Sequence, residues 1–252
     1  MRTLLVIGIG AGDPEYMTVQ AIKALNQADV IFVVEKPGER DDLVRLRREI
    51  CDRYIEGDSY RVVDLPDPER DRSAPGYRAA VEEWRQRRAD VWERAIEANV
   101  SDEESGAFLV WGDPSLYDST LAILDDILAR GTVAFEHQVI PGISSVHALT
   151  ARHRIALNRV GGAVEITPAR LLSEGLPAGV DDVVVMLDAG ASFTNIAPDG
   201  IDIYWGAYLG TEDEILISGP LAERAPDIER ARREARERHG WIMDTYLLRR
   251  RR

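Results

Sequence analysis

The sequence predicts an α/β fold made of two docked α/β domains. Residues 4–9 form a continuous apolar run that ends in glycines, which is typical of a strand buried on both faces of a parallel sheet. Residues 18–27 then place apolar side chains on one helical face behind a possible Thr18 cap, and 30–34 form a second apolar run. Strand, glycine turn, helix and strand in this order make up the βαβ unit of α/β proteins.

The later segments extend this alternation and divide the chain. A helix is predicted at 77–98, a strand at 107–111, a helix at 121–129, a strand at 133–140 and a short helix at 144–151. Strands at 163–166, 183–187, 201–208, 214–218 and 242–248, with a helix at 225–239, predict a mixed second sheet. We therefore expect an N-terminal domain at 1–140, with a charged helical insertion at about 35–106, and a C-terminal domain at 141–252.

Composition excludes several classes of protein. With 31 basic and 44 acidic residues the net charge is −13, which disfavours a nucleic-acid or anionic-membrane binder. No apolar run approaches the roughly 20 residues that cross a bilayer. The single cysteine, Cys51, cannot form an internal disulfide, and no signal-peptide pattern follows Met1. We expect a cytoplasmic protein whose closing arginines, 249–252, form a solvated end rather than a nucleic-acid tail.

The first glycine-rich loop reads Gly8-Ile9-Gly10-Ala11-Gly12-Asp13. Glycines after a first strand let backbone amides approach a pyrophosphate, as in dinucleotide-binding folds. Here, however, the third glycine of that motif is replaced by Asp13, whose carboxylate would repel a phosphate. A dinucleotide site is therefore disfavoured, and a tight turn without a ligand stays open at this stage.

Two further turns follow predicted strands, where ligands of open α/β sheets bind. The first, Trp111-Gly112-Asp113-Pro114-Ser115-Leu116-Tyr117, carries a carboxylate that could accept hydrogen bonds from a ribose. The second, Pro141-Gly142-Ile143-Ser144-Ser145, offers two hydroxyls and backbone amides at a helix start. The alternatives are a plain Asp-Pro turn and a serine-capped helix.

Together the three motifs resemble the signature of the tetrapyrrole methylase family. The likeness covers essentially the whole chain and includes Gly210-Thr211. The first loop departs from the family pattern at Ala11, where proline is usual, and the 35–106 segment is absent from most members. Within the family, this charged segment resembles that of a corrin-pathway member that also removes an acetyl group; the residues concerned are Lys36, Asp42-Leu43, 46–51 and 67–72.

The resemblance implies a methylase-type fold, distinct from the Rossmann fold, that holds S-adenosylmethionine in a cleft between the domains and releases S-adenosylhomocysteine. It also implies a homodimer. Carried over to this sequence, the cofactor contacts are Gly10, Ala11, Trp111, Gly112, Asp113, Leu116, Ser144, Ser145, Leu187 and Gly210. At the Leu187 position the neighbouring Met186 is the alternative.

The implied reaction is methylation of C-1 of precorrin-5 with loss of acetate, giving precorrin-6A. Loss of the acetyl group requires a base or an oxyanion donor, for which the candidates are Tyr117, Asp118 and His147. No metal is expected, because the four histidines and Cys51 lack ligand spacing. A substrate with many carboxylates needs basic partners; candidates are Lys36, Arg40, Arg152, Arg154, Arg159 and Arg170.

Three alternatives remain open from the sequence. A sibling corrin-pathway methyltransferase would methylate another carbon without deacetylation. A nicotinamide-dependent oxidoreductase would also begin with a strand, a glycine loop and a helix. A methylase-like binding module would hold the cofactor without turnover. Binding of S-adenosylhomocysteine against NAD, and release of acetate, separate these classes.

Overall fold

The computed structural model describes residues 1–35, 41–69 and 77–251. The chain divides into two compact units. Unit 1 contains Met1–Gly10 and Pro14–Ile143, and unit 2 contains Ala11–Asp13 and Ser144–Arg252. Each unit is built on its own five-stranded sheet, so each is described by itself.

The sheet of unit 1 is parallel throughout. Its strands are β1 (Thr3–Gly8), β2 (Val30–Glu35), β3 (Arg61–Pro66), β4 (Ser105–Val110) and β5 (Glu136–Ile140), and its helices are α1 (Val19–Leu25), α2 (Asp41–Tyr54), α3 (Tyr77–Asn99) and α4 (Thr120–Arg130). The spatial order is β3-β2-β4-β1-β5. This order places β4 between β1 and β2, whereas β1 and β2 are neighbours in dinucleotide-binding sheets.

Helices cover both faces of this sheet. On one face Trp92 of α3 stacks on Phe108 of β4 with ring centroids 4.5 Å apart, and Ile123 of α4 is buried in the same core. On the other face α1 and α2 bury a second core against β1 and β4. Helix α1 begins where predicted, because the Thr18 hydroxyl oxygen accepts the Ala21 N–H at 3.0 Å.

The segment predicted as a charged helical insertion at 35–106 contains helices α2 and α3, and also one strand that the sequence did not indicate. This segment contains β3, the edge strand that pairs with β2, and helices whose side chains Ile50 and Trp92 are buried in the two cores. Sequence patterns missed β3 because an edge strand is largely exposed, so Arg61 and Asp64 interrupt its apolar run. They gave no bounds for α2 within the predicted helical segment, because its many charges outnumber the few core positions.

Unit 2 contains the mixed sheet that the sequence predicts. Its strands are β6 (Val164–Pro168), β7 (Asp182–Met186), β8 (Ile201–Ala207), β9 (Ile215–Pro220) and β10 (Asp244–Arg250), and its helices are α5 (Ser145–His153) and α6 (Leu221–His239). The order is β6-β7-β10-β8-β9, with only β6 and β7 parallel. Because β7 and β8 are both antiparallel to β10, they end at the same edge of the sheet.

The two longest helices, α3 and α6, are rich in charged residues and bury one face. In α6 the buried positions include Leu221, Ile228 and Ala235, which recur at helical spacing. Among the residues that the structure describes, no helix combines the length and apolar character required to cross a membrane.

Substitution of Trp92 tests whether α3 belongs to the core. We expect Trp92→Ala to lower the free energy of unfolding by about 3–5 kcal/mol, because a buried aromatic side chain leaves a cavity against Phe108. Chemical denaturation measures this loss. Glu97→Ala, at an exposed position of the same helix, is the matched control and should change the free energy by less than about 0.5 kcal/mol. Equal effects of the two substitutions would contradict the assignment of α3 to the core.

Candidate functional site

Three strand ends of unit 1 meet through backbone atoms alone. Gly10 and Gly112, which follow β1 and β4, form an isolated bridge in which the Gly112 N–H donates to the Gly10 carbonyl at 2.8 Å. A Cβ on Gly142, after β5, would lie 2.0 Å from the Gly112 carbonyl oxygen, and one on Gly8 would lie 2.5 Å from the Gly142 nitrogen. Since no side chain fits at such distances, glycine is required where these loops converge.

Asp113 joins two of these loops. One carboxylate oxygen accepts the Gly142 N–H at 2.9 Å. The other accepts the Ser115 N–H at 2.9 Å and also the Ser115 hydroxyl. The carboxylate therefore closes the Asp-Pro turn and fastens it to the end of β5, which is a structural role in addition to the ligand contact predicted from the sequence.

The loop after β4 contains left-handed backbone at a residue that is not glycine. Gly112 has φ 71° and Tyr117 has φ 52°. Such a conformation costs an ordinary residue about 1–2 kcal/mol and is concentrated at functional sites. Tyr117 is 44% exposed; Trp111 and Leu116 are half-buried on either side of the turn.

Asp118 lies at the start of α4, where its carboxylate accepts the Thr120 N–H at 2.7 Å. Two guanidinium groups, those of Arg47 and Arg88, interact electrostatically with this carboxylate. Burial lowers the pKa of Arg47, and Asp118 opposes that shift. Burial also lowers the pKa of Arg88, which the carboxylates of Asp67 and Asp118 oppose. No sequence pattern predicted that Arg47 or Arg88 would lie near Asp118, because their positions depend on the fold of α2 and α3.

In unit 2 the middle of the first glycine loop lies against the segment that follows β8. A Cβ on Gly12, whose φ is 138°, would lie 2.2 Å from the Leu209 carbonyl oxygen and 3.0 Å from the Thr211 methyl carbon. The neighbouring Ala11 is only 2% exposed. Small residues are therefore required at this contact, and the predicted cofactor positions Ala11 and Gly210 belong to adjoining segments.

The start of α5 carries the predicted serines. Ser144 is the N-cap: its hydroxyl oxygen accepts the His147 N–H at 3.5 Å and lies 2.9 Å from His147 Nδ1. Ser145 Oγ accepts the Thr245 hydroxyl of β10 at 3.3 Å. The predicted serine-capped helix is thus present, and it brings the imidazole of His147 into contact with the Ser144 hydroxyl.

Left-handed backbone also follows β7 and β8. Leu187, after β7, has φ 58° and a side chain that is 64% exposed, while Tyr208 and Gly210, after β8, have φ 50° and 78°. The Gly210 N–H donates to Glu214 at 2.9 Å, and the same carboxylate pairs with Arg152 at 2.5 Å. No sequence signal marks a leucine or a tyrosine for the left-handed region, so Tyr208 was missed.

The basic residues predicted to bind substrate carboxylates have different outcomes. Lys36 and Arg40 lie outside the described residues, as do 70–72 of the charged segment and the side chains of Asp42 and Leu43. Arg152 pairs with Glu214, and Arg159 pairs with Asp181 at 3.3 Å and donates to the Arg250 carbonyl. Arg154 and Arg170 are exposed. Arg152 and Arg159 therefore already serve contacts within unit 2.

The described residues offer neither a reactive cysteine nor a cluster of metal ligands. Burial raises the pKa of Cys51 to about 11, so this thiol stays neutral at physiological pH. Within 1–35, 41–69 and 77–251, no three or more His, Cys, Asp or Glu side chains form a group that could hold a metal ion. Left-handed backbone recurs in the loops after β1, β4, β7 and β8.

Two α/β units with glycine loops and left-handed residues at the strand ends are typical of a ligand-binding enzyme of the α/β class. Comparison with known proteins identifies the family. Residues 3–225 match the family model of the Tetrapyrrole (Corrin/Porphyrin) Methylases. The chain belongs to this family.

Individual relatives agree with this assignment. The chain is 49% identical over 249 residues to precorrin-6A synthase [deacetylating] from Sinorhizobium sp, covering 99% of this chain and 95% of that protein. It is 38% identical to a cobalamin synthesis related protein (CobF) from Corynebacterium diphtheriae, with a TM-score of 0.85 and 99% of each chain covered. Uroporphyrin-III C-methyl transferase from Thermus thermophilus, complexed with S-adenyl homocysteine, shares the fold at 17% identity, TM-score 0.59, with 98% and 96% covered.

A methyl group at Gly142 tests the contact between strand ends. We expect Gly142→Ala to displace the Gly112 carbonyl, which costs about 1–3 kcal/mol of stability, and to weaken binding of S-adenosylhomocysteine about tenfold, equivalent to about 1.4 kcal/mol. Calorimetry measures the affinity. Gly131→Ala is the control, because Gly131 has φ 71° but open space around it; it should lose stability and keep the affinity. Unchanged affinity in Gly142→Ala would remove this contact from the site.

Proposed function

We propose that this chain uses S-adenosylmethionine to methylate C-1 of precorrin-5 and releases the acetyl group as acetate, giving precorrin-6A. The observation that carries the specific reaction is the 49% identity, over nearly the whole of both chains, to a protein named precorrin-6A synthase [deacetylating]. The 38% identity to the structure named CobF supports the same branch of the family. Membership of the methylase family makes the enzyme class a methyltransferase.

The loops of unit 1 have the chemistry that this cofactor requires. S-adenosylmethionine, when bound, supplies a methyl group on a sulfonium leaving group, so the protein's share is mainly positioning. Left-handed glycines at Gly10 and Gly112 let backbone atoms face a ligand without intervening side chains. We assign cofactor contacts here to Gly10, Trp111, Gly112, Asp113 and Leu116. Asp113 acts both as a polar neighbour and as the clamp on Gly142.

In unit 2 the proposed contacts are Ala11, Ser144, Ser145, Leu187 and Gly210. The exposed apolar side chain of Leu187 is suited to cover a flat heterocycle such as adenine. Met186 is the last residue of β7, whereas Leu187 carries the left-handed turn, which favours Leu187 over its neighbour. The hydroxyls of Ser144 and Ser145 and the backbone near Gly210 supply polar partners.

An assay with defined products tests the proposed reaction. With precorrin-5 and S-adenosylmethionine carrying a labelled methyl group, we expect one equivalent of acetate for each methyl group transferred. Calorimetry in parallel should detect binding of S-adenosylhomocysteine to the protein and no binding of NAD. Methylation without acetate would favour the sibling methyltransferase, binding without turnover would favour a binding module, and binding of NAD alone would favour the oxidoreductase.

The nicotinamide alternative has no support in the fold. The sheet order β3-β2-β4-β1-β5 differs from that of dinucleotide-binding domains. In addition, the first loop contacts the Leu209 and Thr211 segment through Gly12, a position at which the dinucleotide motif has no required glycine.

We propose His147 as the base for deacetylation. Its Nδ1 lies 2.9 Å from the Ser144 hydroxyl, and its side chain is exposed at the start of α5. In the neutral tautomer that carries its proton on Nδ1, Nδ1–H donates to Ser144 Oγ and Nε2 is available to accept a proton from water. That water gives a proton to Nε2 and attacks the acetyl carbonyl carbon; the bond between C-1 and the acetyl group breaks, acetate leaves, and the electron pair retained by the macrocycle makes C-1 the nucleophile for the methyl group.

Asp118 and Tyr117 are the competing candidates. The Asp118 carboxylate already accepts the Thr120 N–H and is a counter-charge to Arg47 and Arg88, which gives it a structural function. Tyr117 is exposed and held in a left-handed conformation, so its hydroxyl could donate to an oxyanion rather than act as the base.

Substitution of each candidate distinguishes them. We expect His147→Gln to slow acetate release about 100-fold, the lower end of what a general base contributes. Binding of S-adenosylhomocysteine should change by less than about threefold, because Ser144 keeps its backbone partner at position 147. Asp118→Asn and Tyr117→Phe are measured in the same assay. Acetate release at the wild-type rate in His147→Gln, with a large loss in either of the other two, would transfer the role to that residue.

We also propose a cytoplasmic homodimer that acts on a tetrapyrrole and has neither nucleic acid nor membrane as a partner. The net charge of −13 supports the exclusion of polyanions. The family resemblance supports the homodimer, and light scattering of the purified chain measures it. Exposed Arg154 and Arg170 remain candidates for substrate carboxylates.

A further inference from the structure

The loop that follows β7 is organised by one buried carboxylate, that of Asp188. Four donors reach it: the Tyr246 hydroxyl at 2.7 Å, the Ser192 N–H at 2.7 Å, the Gly190 N–H at 2.9 Å and the Ser192 hydroxyl at 3.1 Å. Asp188 is only 6% exposed and Tyr246 is fully buried. Burial raises the pKa of Tyr246, with Asp188 adding to the shift, so the hydroxyl remains a proton donor.

A buried ion pair from α6 and β10 holds the same loop from another side. Arg232, which is 3% exposed, donates to the Asp188 carbonyl at 2.8 Å and pairs with Asp244. The Trp205 indole N–H donates to Asp244 at 2.7 Å. One end of this polar network is therefore embedded in the core of unit 2, and the other end is the backbone that leaves β7.

Stability alone does not account for this network. Burying each ion costs several kcal/mol, and replacing buried ion pairs with apolar residues is often neutral or stabilising. A network of this kind gives a defined geometry that apolar packing would not specify. Here the groups whose geometry it defines are the Asp188 carbonyl and the N–H groups of Gly190 and Ser192.

The backbone held in this way is strained. Leu187 has φ 58° and Ala191 has φ 60°, each at a cost of about 1–2 kcal/mol for a residue other than glycine. Arg236 adds a further hold by donating to the Ala189 carbonyl at 2.6 Å. Such strain persists only where the surroundings determine the conformation, and it is concentrated at functional sites.

The conformation presents the Leu187 side chain to solvent with 64% of its surface exposed. We propose that Asp188, held by Tyr246, is a positioning residue that fixes Leu187 as a preformed apolar surface for the cofactor. This inference rests on the proposed function, since it requires that Leu187 meets S-adenosylmethionine. Preforming the surface lowers the entropy lost when the ligand binds, so the network acts on affinity.

The test variant is Tyr246→Phe, which removes the hydroxyl that donates to Asp188 and keeps the aromatic ring in the core. In Tyr246→Phe we expect the Kd of S-adenosylhomocysteine and the KM for S-adenosylmethionine to rise about tenfold, with kcat at saturating cofactor within twofold of wild type. Tyr204→Phe is the matched control: it lies next to Trp205 on β8, and its ring contacts His153. It should leave both constants unchanged.

A double-mutant cycle separates positioning from general stability. Leu187→Ala, at an exposed position, should itself raise the Kd about tenfold, and adding Tyr246→Phe in that background should raise it less than twofold further. A tenfold additional loss there, or a lower melting temperature of Tyr246→Phe with unchanged Kd, would overturn the inference. If wild-type protein does not bind S-adenosylhomocysteine, the proposed function fails as well; if it binds and Tyr246→Phe binds equally, only the inference fails.

Discussion

The architecture of unit 1 depends on the contact between the backbones of three strand ends. The Gly142 backbone touches the Gly112 carbonyl so closely that a Cβ would lie 2.0 Å from it. This contact is possible because β4, β1 and β5 are adjacent in the sheet and parallel, so their carboxyl ends reach the same edge. The Asp113 carboxylate then holds the loop after β4 against the end of β5 by accepting the Gly142 N–H. The central loops of the site are thus positioned by sheet topology first and by one carboxylate second.

Much of the fold could be predicted because local patterns and tertiary requirements agree. Local sequence preferences match the structure at three places: the apolar run that forms β1, the Thr18 cap of α1 and the Ser144 cap of α5. Edge strand β3 and the bounds of helix α2 could not be predicted in this way. Their apolar positions are few, because each buries only one part of its surface, and charge dominates the pattern.

The turns of the candidate site could be predicted only where glycine, proline and serine mark them in the sequence. Those residues mark the turns after β1, β4 and β5, since only certain side chains are compatible with such backbone. Tyr208 and Leu187 adopt left-handed conformations without any such mark, because tertiary contacts impose the strain. The roles of Asp188 and Glu214 were equally hidden, as a carboxylate on the surface and a carboxylate that orders a loop look identical in sequence.

The two units position their loops by different physical means. In unit 1 the contact between glycines leaves no space for a Cβ, so only glycine fits at Gly8 and Gly142. In unit 2 the loop after β7 is defined by charges, with Asp188 and Arg232 buried at a solvation cost. A loop held by such close backbone contact tolerates almost no substitution at the contact itself. A loop held by a polar network depends instead on residues far along the chain, such as Tyr246, so its geometry can change with substitutions distant in the sequence.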